Sequence, residues 1–315
     1  MQVSHGWPVR ADAASAVAFG NFDGVHMGHR AIIGALRAEA AQQQDRVTVV
    51  TFDPHPLVLL RPERAPRAID PLAQRLERLA ELGVDLTVIL RFDDALRRMT
   101  AREFGDKLIH TLGARVFVGS DDSRFGHGGA GDLGFLRDLA APAGVRVLRI
   151  PGVSLAGASV SSSRIRGAVQ RGDVGMAADL LRRAFALYGT VVHGDAAGRS
   201  IGFPTANLAS VGQVMPHAGV YAIRAQVGGG THDGVANLGT RPTVGGTAFR
   251  VEAHLFDFDQ DVYGEPMALM FLARLRDERR FDGLTALRAA IAEDCVAARA
   301  HTRQASLRRD RYFCG

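Results

Sequence analysis

The 315 residues are 47% hydrophobic and 23% charged, a balance that excludes a disordered or fibrous chain and supplies apolar material for two packed domains. Two cysteines, Cys295 and Cys314, exclude a disulfide framework or a cysteine-held metal, and no apolar run reaches the about 18 residues of a membrane span. The net charge of +5 rests on arginine, Lys107 being the sole lysine, and without arginine–aromatic interleaving it predicts no nucleic-acid partner. Met1 to Arg10 carries no signal-peptide core, so a cytoplasmic protein is expected, monomeric or weakly self-associating, with no membrane partner.

The first half alternates apolar runs, at 14–19, 47–52, 86–90, 116–119 and 145–150, with helical patterns near 28–42, 71–82, 100–112 and 132–141. Strands separated by helix-length segments predict a parallel sheet covered on both faces. Ligands of such sheets sit beyond the carboxyl ends of the strands. The first strand ends there in Gly20-Asn21-Phe22-Asp23-Gly24-Val25-His26-Met27-Gly28-His29. A glycine turn running into a helix offers N–H groups and the helix dipole to an anion. His26 and His29, three residues apart, share one face of the first helical turn. These residues point to nucleotidyl transfer: amides cradle a phosphate while the imidazoles stabilise charge on the attacked phosphate and the leaving pyrophosphate. The competing reading is a capped helix with two ordinary histidines, and their pairing after a glycine turn favours the first.

Asp53-Pro54-His55-Pro56 ends the second strand. Its prolines either place His55 toward the same pocket or merely stiffen a loop, and the residues leave both open. Ser161-Ser162-Ser163-Arg164-Ile165-Arg166 opens a further helix. Its hydroxyls and arginines suit a triphosphate clamp, though taken alone the segment reads as an N-cap with exposed arginines.

Beyond Tyr188 the runs shorten, to 186–193, 220–227, 233–238, 251–256 and 267–275, with Gly, Pro, Asn and Asp between them. That spacing predicts a small antiparallel barrel. A closing helix spaces Leu284, Leu287, Ile291 and Val296 to cover a core. The boundary falls near 181–187, dividing the chain into 1–183 and 184–315. Gly194, Gly198 and Gly202, four apart, allow a loop to wrap phosphates, although no Gly-Lys-Ser/Thr of a Walker A motif follows. Thr205 and Asn207, two apart in an extended segment, share a side, and their oxygens suit Mg²⁺ carried with a nucleotide. In Val251-Glu252-Ala253-His254-Leu255-Phe256, alternation sets Glu252 and His254 opposite the apolar residues. Glu252 is then either a solvent-facing acid or the acceptor of a substrate hydroxyl proton, and chemistry alone leaves the two even.

In order and spacing, the motifs at 20–29, 52–56 and 161–166 resemble the N-terminal module of prokaryotic bifunctional riboflavin kinase/FMN adenylyltransferases (FAD synthetases). The resemblance implies an α/β nucleotidyltransferase domain, Rossmann-like with a parallel sheet. It makes His26 and His29 the HxGH pair and puts Ser162, Ser163 and Arg166 in the serine/threonine–arginine phosphate motif. Gly20, Asn21, Phe22, Asp23, Gly24 and His55 would bind substrate. Gly198-Arg199-Ser200-Ile201-Gly202-Phe203-Pro204-Thr205-Ala206-Asn207, Gly219-Val220-Tyr221, the stretches 234–243 and 251–254, Tyr263-Gly264 and 276–282 resemble the riboflavin kinase module. That module is a six-stranded antiparallel Greek-key barrel with a C-terminal helix. By the resemblance, Thr205 and Asn207 serve Mg²⁺-ATP, Glu252 is the catalytic base, and 276–281, with Arg276 and Phe281, helps cover the flavin.

One stretch departs. Where the family shows a VGxDFRFG-like segment, residues 118–132 run one residue longer and lack the aromatic before Arg124. Gly129 stands where an arginine is expected. The implied activity is phosphorylation of riboflavin to FMN, then adenylylation of FMN to FAD, with ATP, riboflavin and FMN as substrates. The departure motivates an alternative, a riboflavin kinase whose adenylyltransferase domain is weakened or retuned. A non-catalytic flavin- or nucleic-acid-binding regulator is the alternative from another class, and it would have no need of Glu252, Thr205, Asn207 and the histidine pair.

Overall fold

The computed structural model describes residues 1–9, 12–194, 202–209, 212–243 and 246–307. Packing divides the chain into two units, one of Met1–Arg67 with Leu72–Ser161, the other of Ala68–Pro71 with the chain from Ser162 onward. The first holds six parallel strands: β1 (Gln2–His5), β2 (Ser15–Phe19), β3 (Arg46–Phe52), β4 (Leu86–Leu90), β5 (Ala114–Gly119) and β6 (Arg146–Arg149). Their order across the sheet is β1-β4-β3-β2-β5-β6. Between them lie α1 (Met27–Gln43), α2 (Leu57–Leu60), α3 (Leu72–Glu81), α4 (Asp94–Arg98), α5 (Ala101–Thr111) and α6 (Leu133–Ala140), and a small hairpin, β7 (Ser154–Leu155) with β8 (Ala158–Ser159), follows.

Alternation along the strands splits this core in two. Val17, Val50 and Val88 pack with Phe104 and Leu108 of α5 and Leu136 of α6. Ala16, Ala18 and Val49 pack with Ile33 and Leu36 of α1 and Leu79 of α3. Both faces are therefore covered, which is why the inner strands read as unbroken apolar runs. Strand order reverses at β2, with β3 and β4 to one side and β5 and β6 to the other. The carboxyl end of β2 thus opens on the crevice where such sheets bind ligands.

The second unit begins with α7 (Ser162–Gln170) and α8 (Val174–Leu181). The barrel follows, from β9 (Phe185–Val192), β10 (Ala206–Ala209), β11 (Gly219–Val227), β12 (Gly230–Thr243), β13 (Gly246–Leu255) and β14 (Pro266–Arg276). It closes in the antiparallel order β10-β13-β12-β11-β14-β9. Ala68–Pro71 is woven into this unit: Ala68 N–H donates to Gly212 O at 2.9 Å, Gln213 Nε2 donates to Ile69 O at 3.0 Å, and Asp70 pairs with Arg183.

The closing helix, α9 (Leu284–Leu307), corrects an expectation. Leu284 and Val296 are 68% and 73% exposed, while the buried stripe runs through Ala290, Asp294, Ala298 and Thr302. Small residues four apart let the helix lie close on Val220, Ala222 and Val235 of the barrel. The charged member of the stripe is compensated: Arg276 Nε and Nη2 donate to Asp294 Oδ1 and Oδ2 at 2.8 and 2.6 Å. A bidentate charge pair, together with small side chains, sets the face that larger apolar residues were expected to set.

Candidate functional site

The turn after β2 is held in a conformation that its residues resist. Phe22 and Val25 have φ of 49° and 40°, a left-handed region that costs non-glycine residues about 1–3 kcal/mol each. Both side chains are 1% exposed, and such burial is worth about 1.5–3 kcal/mol each, so packing offsets the strain. Hydrogen bonds pin the same turn. Gly20 N–H donates to Val50 O at 3.0 Å, and Asn21 O accepts from Thr51 Oγ1 at 3.0 Å and Arg75 Nη1 at 2.8 Å. Asp23 is 5% exposed, and Gly24 has φ of 82°.

His26 caps α1, its Nδ1 accepting from His29 N–H at 3.4 Å. The two imidazoles stack with centroids 3.6 Å apart, and Phe22 backs His29 at 4.9 Å. His55 joins the same turn, its Nε2 3.2 Å from the Asn21 amide. Burial first, then electrostatic interaction with His26 and with the Arg75 guanidinium, holds the His29 imidazole well below the ordinary histidine range. His29 is therefore neutral near pH 7. Its Nδ1 and the Asn21 Oδ1 are buried without a hydrogen-bond partner, as polar atoms awaiting a ligand would be.

Arg75 was missed in the sequence. It is 7% exposed on the core-facing stripe of α3, where it bonds the Asn21 carbonyl and reaches Asp53 at 3.7 Å. The available signal was an arginine in a helical stripe that otherwise carries Leu72 and Leu79. Ser162 and Ser163 are the first two residues of α7 and Arg166 lies one turn on; by packing, this helix belongs with the barrel. In the departing stretch, Arg124 Nη1 folds back onto the carbonyls of Asp121 and Ser123 at 3.0 and 2.8 Å. Gly129 has φ of 70°, so the side chain expected there would meet a strained backbone.

In the barrel, Val251, Ala253 and Leu255 are buried, and Glu252 and His254 face the other way. Antiparallel register sets Asn207 of β10 directly opposite Glu252. Arg250 Nε lies 3.1 Å from Glu252 Oε1 and donates to Asn207 Oδ1 at 3.3 Å. Asn207 is 8% exposed, and Gly194 packs so tightly on its amide that no Cβ fits. Thr205 is half-buried just before β10, in a segment held by His254 Nδ1, 2.8 Å from Pro204 O. Gly202 is exposed with φ of 86°, while Gly198 lies outside the described residues. Arg276 is committed to Asp294, and Phe281 lies half-buried beneath Arg279, 4.9 Å from its ring centroid. The Thr205 hydroxyl and the Asn207 amide oxygen are hard oxygens of the kind that Mg²⁺ takes as ligands. Among the described residues there is no cluster of three or more His, Cys, Asp or Glu that could hold a metal ion.

Two family profiles match the chain, one described as FAD synthetase over residues 9–164 and one as riboflavin kinase over residues 181–302. A bifunctional riboflavin kinase/FMN adenylyltransferase of Escherichia coli (strain K12) is 40% identical over 282 residues, covering 89% of this chain and 90% of that protein. Its namesake in Bacillus subtilis (strain 168) is 35% identical over 288 residues, 90% of each chain. A solved structure described as a macrolide-efflux protein from Streptococcus pneumoniae superposes with a TM-score of 0.86 at 30% identity, covering 93% of this chain and 97% of that one. Among the described residues of the present chain, no helix is long and apolar enough to cross a membrane.

Proposed function

The chain belongs to the bifunctional riboflavin kinase/FMN adenylyltransferase family, and on that premise we propose which of its residues carry each reaction. The enzyme phosphorylates riboflavin to FMN with ATP, then adenylylates FMN with ATP to give FAD and pyrophosphate. In our reading residues 184–315 perform the first reaction and residues 1–183 the second. Glu252 takes the proton of the ribityl 5′-hydroxyl as its oxygen attacks the γ-phosphate. Thr205 and Asn207 hold Mg²⁺, which when bound neutralises charge on the transferring phosphates. Gly194, Gly198 and Gly202 leave the backbone close to those phosphates, and Arg276 and Phe281 border the flavin.

In the second reaction the FMN phosphate attacks the α-phosphate of ATP. The turn that follows Gly20 and the imidazoles of His26 and His29 receive the developing charge. His55 supports the turn through Asn21, and Ser162, Ser163 and Arg166 bind phosphate. The protein works on small molecules in the cytoplasm, as a monomer or weak self-associate, without nucleic acid or membrane. The observation that carries this reading is the pairing of Asn207 opposite Glu252.

Incubation with riboflavin, ATP and Mg²⁺, following FMN and FAD separately by chromatography, tests it. FMN should appear first and FAD after it. If supplied FMN gave no FAD, the chain would be a kinase with a weakened adenylyltransferase, to which the self-bonded Arg124 and Gly129 of the departing stretch would then be central. Arg75 makes a separate prediction. Arg75→Ala leaves the Asn21 carbonyl with Thr51 Oγ1 alone and should cut FAD formation from FMN about tenfold or more, since a charged hydrogen bond is worth about 1.5–3 kcal/mol. Arg75→Lys should recover part of the loss, with FMN formation unchanged in both.

A further inference from the structure

Arg250 stands on the outer face of β13 between the two side chains on which the kinase reading rests, and this inference depends on that reading. Its Nε bonds the amide oxygen of Asn207 at 3.3 Å and lies 3.1 Å from a carboxylate oxygen of Glu252. Both are oxygens for which the reaction has other uses, as ligand of a divalent cation and as acceptor of a proton. On the same strand His254 is engaged with Pro204 O. Across the sheet stand Asn207 from β10 and, on β12, Asn237 and Gly239, opposite Glu252 and Arg250 respectively. Glu278 packs on Gly239 so closely that no Cβ fits there. Among the described residues, then, Arg250 is the cation that contacts the Glu252–Asn207 pair.

We propose that Arg250 is a positioning residue that competes with Mg²⁺ for the Glu252–Asn207 pair, so that the cation carried by the nucleotide enters by displacing a guanidinium. The physical reason is charge. A guanidinium in contact with Asn207 Oδ1 and a dication on the same oxygen would lie within about two bond lengths of each other and repel strongly at a half-buried site. At 31% exposed, the Arg250 side chain has solvent into which it can move, whereas Asn207, beneath Gly194, is held in place. While seated, the guanidinium also keeps the Glu252 carboxylate on the Asn207 side, so the base is aimed before the substrate hydroxyl arrives.

The competition makes Mg²⁺-ADP affinity follow the charge at position 250, which a purely structural role would not do. Calorimetric titration of the full-length protein with Mg²⁺-ADP reads it directly, with the Mg²⁺ dependence of FMN formation as a second measurement. Arg250→Ala and Arg250→Gln should bind Mg²⁺-ADP about threefold or more tightly than the parent, by relief of like-charge repulsion. Their half-saturating Mg²⁺ should fall in step. Arg250→Lys should stay near the parent. FAD formation from supplied FMN checks that each variant is folded. Equal or weaker binding by the neutral variants overturns the proposal, weaker binding making Arg250 a phosphate ligand instead. Asn207→Ala and Glu252→Gln separate this failure from the other. If Asn207→Ala binds Mg²⁺-ADP normally and Glu252→Gln still makes FMN, the kinase reading itself has failed. If both are impaired while the Arg250 variants show no charge dependence, only the competition is wrong.

Discussion

Glu252→Gln is expected to lower FMN formation by about 10²–10⁴-fold, the usual contribution of a general base, while FAD formation from supplied FMN continues at the parental rate. Glutamine keeps the length and the β13 register opposite Asn207 and Asn237, so the barrel should fold. What it loses is the ability to take up a proton at neutral pH, and it leaves Arg250 facing a neutral amide in place of a carboxylate. Sparing of the second reaction follows from the packing, because the histidine pair sits on a parallel sheet with its own two-sided core. A mixture of riboflavin and ATP should then yield neither flavin nucleotide, and adding FMN should restore FAD. Loss of both reactions in a variant with an unchanged melting temperature would contradict two separate sites.

The parts of these sites legible in the sequence are those whose geometry is local. The three-residue spacing of His26 and His29 pointed to one face, and the pair does meet there, with His26 as the extended N-cap stacked on His29; Glu252 and His254 had to leave the barrel interior because strand period fixes it. Cross-strand facts were not local. That Asn207 lies opposite Glu252 depends on pairing between β10, a four-residue strand, and β13, more than forty positions away. Arg250 shares the face of Glu252 by simple alternation, yet its bond to Asn207 exists only once that pairing forms. β1 went unseen because Gln2–His5 is a short, mostly exposed edge with no apolar period. α8 was missed despite a readable signal, Asp173 capping the Met176 N–H ahead of buried Val174, Ala177, Ala178 and Leu181. The face of α9 was misjudged for a third reason. Side-chain size pointed to Leu284 and Val296, but close approach to the barrel selects Ala290 and Ala298, and the charge on Arg276 selects Asp294.

Replacing both His26 and His29 with alanine should produce the mirror image of Glu252→Gln: FAD formation falls by about 10²–10³ for each charge-stabilising donor removed, and FMN formation is retained. His29 also carries a pH signature of definite sign. Burial, then electrostatic interaction with His26 and with the Arg75 guanidinium, keeps its folded-state pKa well below the ordinary value of about 6.5. As pH falls through 6.5, unfolded chains take up a proton at this site and folded ones do not. The unfolded state then binds more protons, so stability is full above about pH 6.5 and declines below it until the folded pKa is reached. For one such group the slope is at most about 1.4 kcal/mol per pH unit. His29→Gln, which cannot titrate, should lack this component. Urea unfolding of parent and variant at pH 7.5 and 5.5 measures it: the parent should lose more stability between the two pH values than the variant does. Equal losses would mean that His29 titrates normally in the folded protein. The imidazole would then be charged at mildly acidic pH, and FAD formation would have to follow its titration instead of staying level.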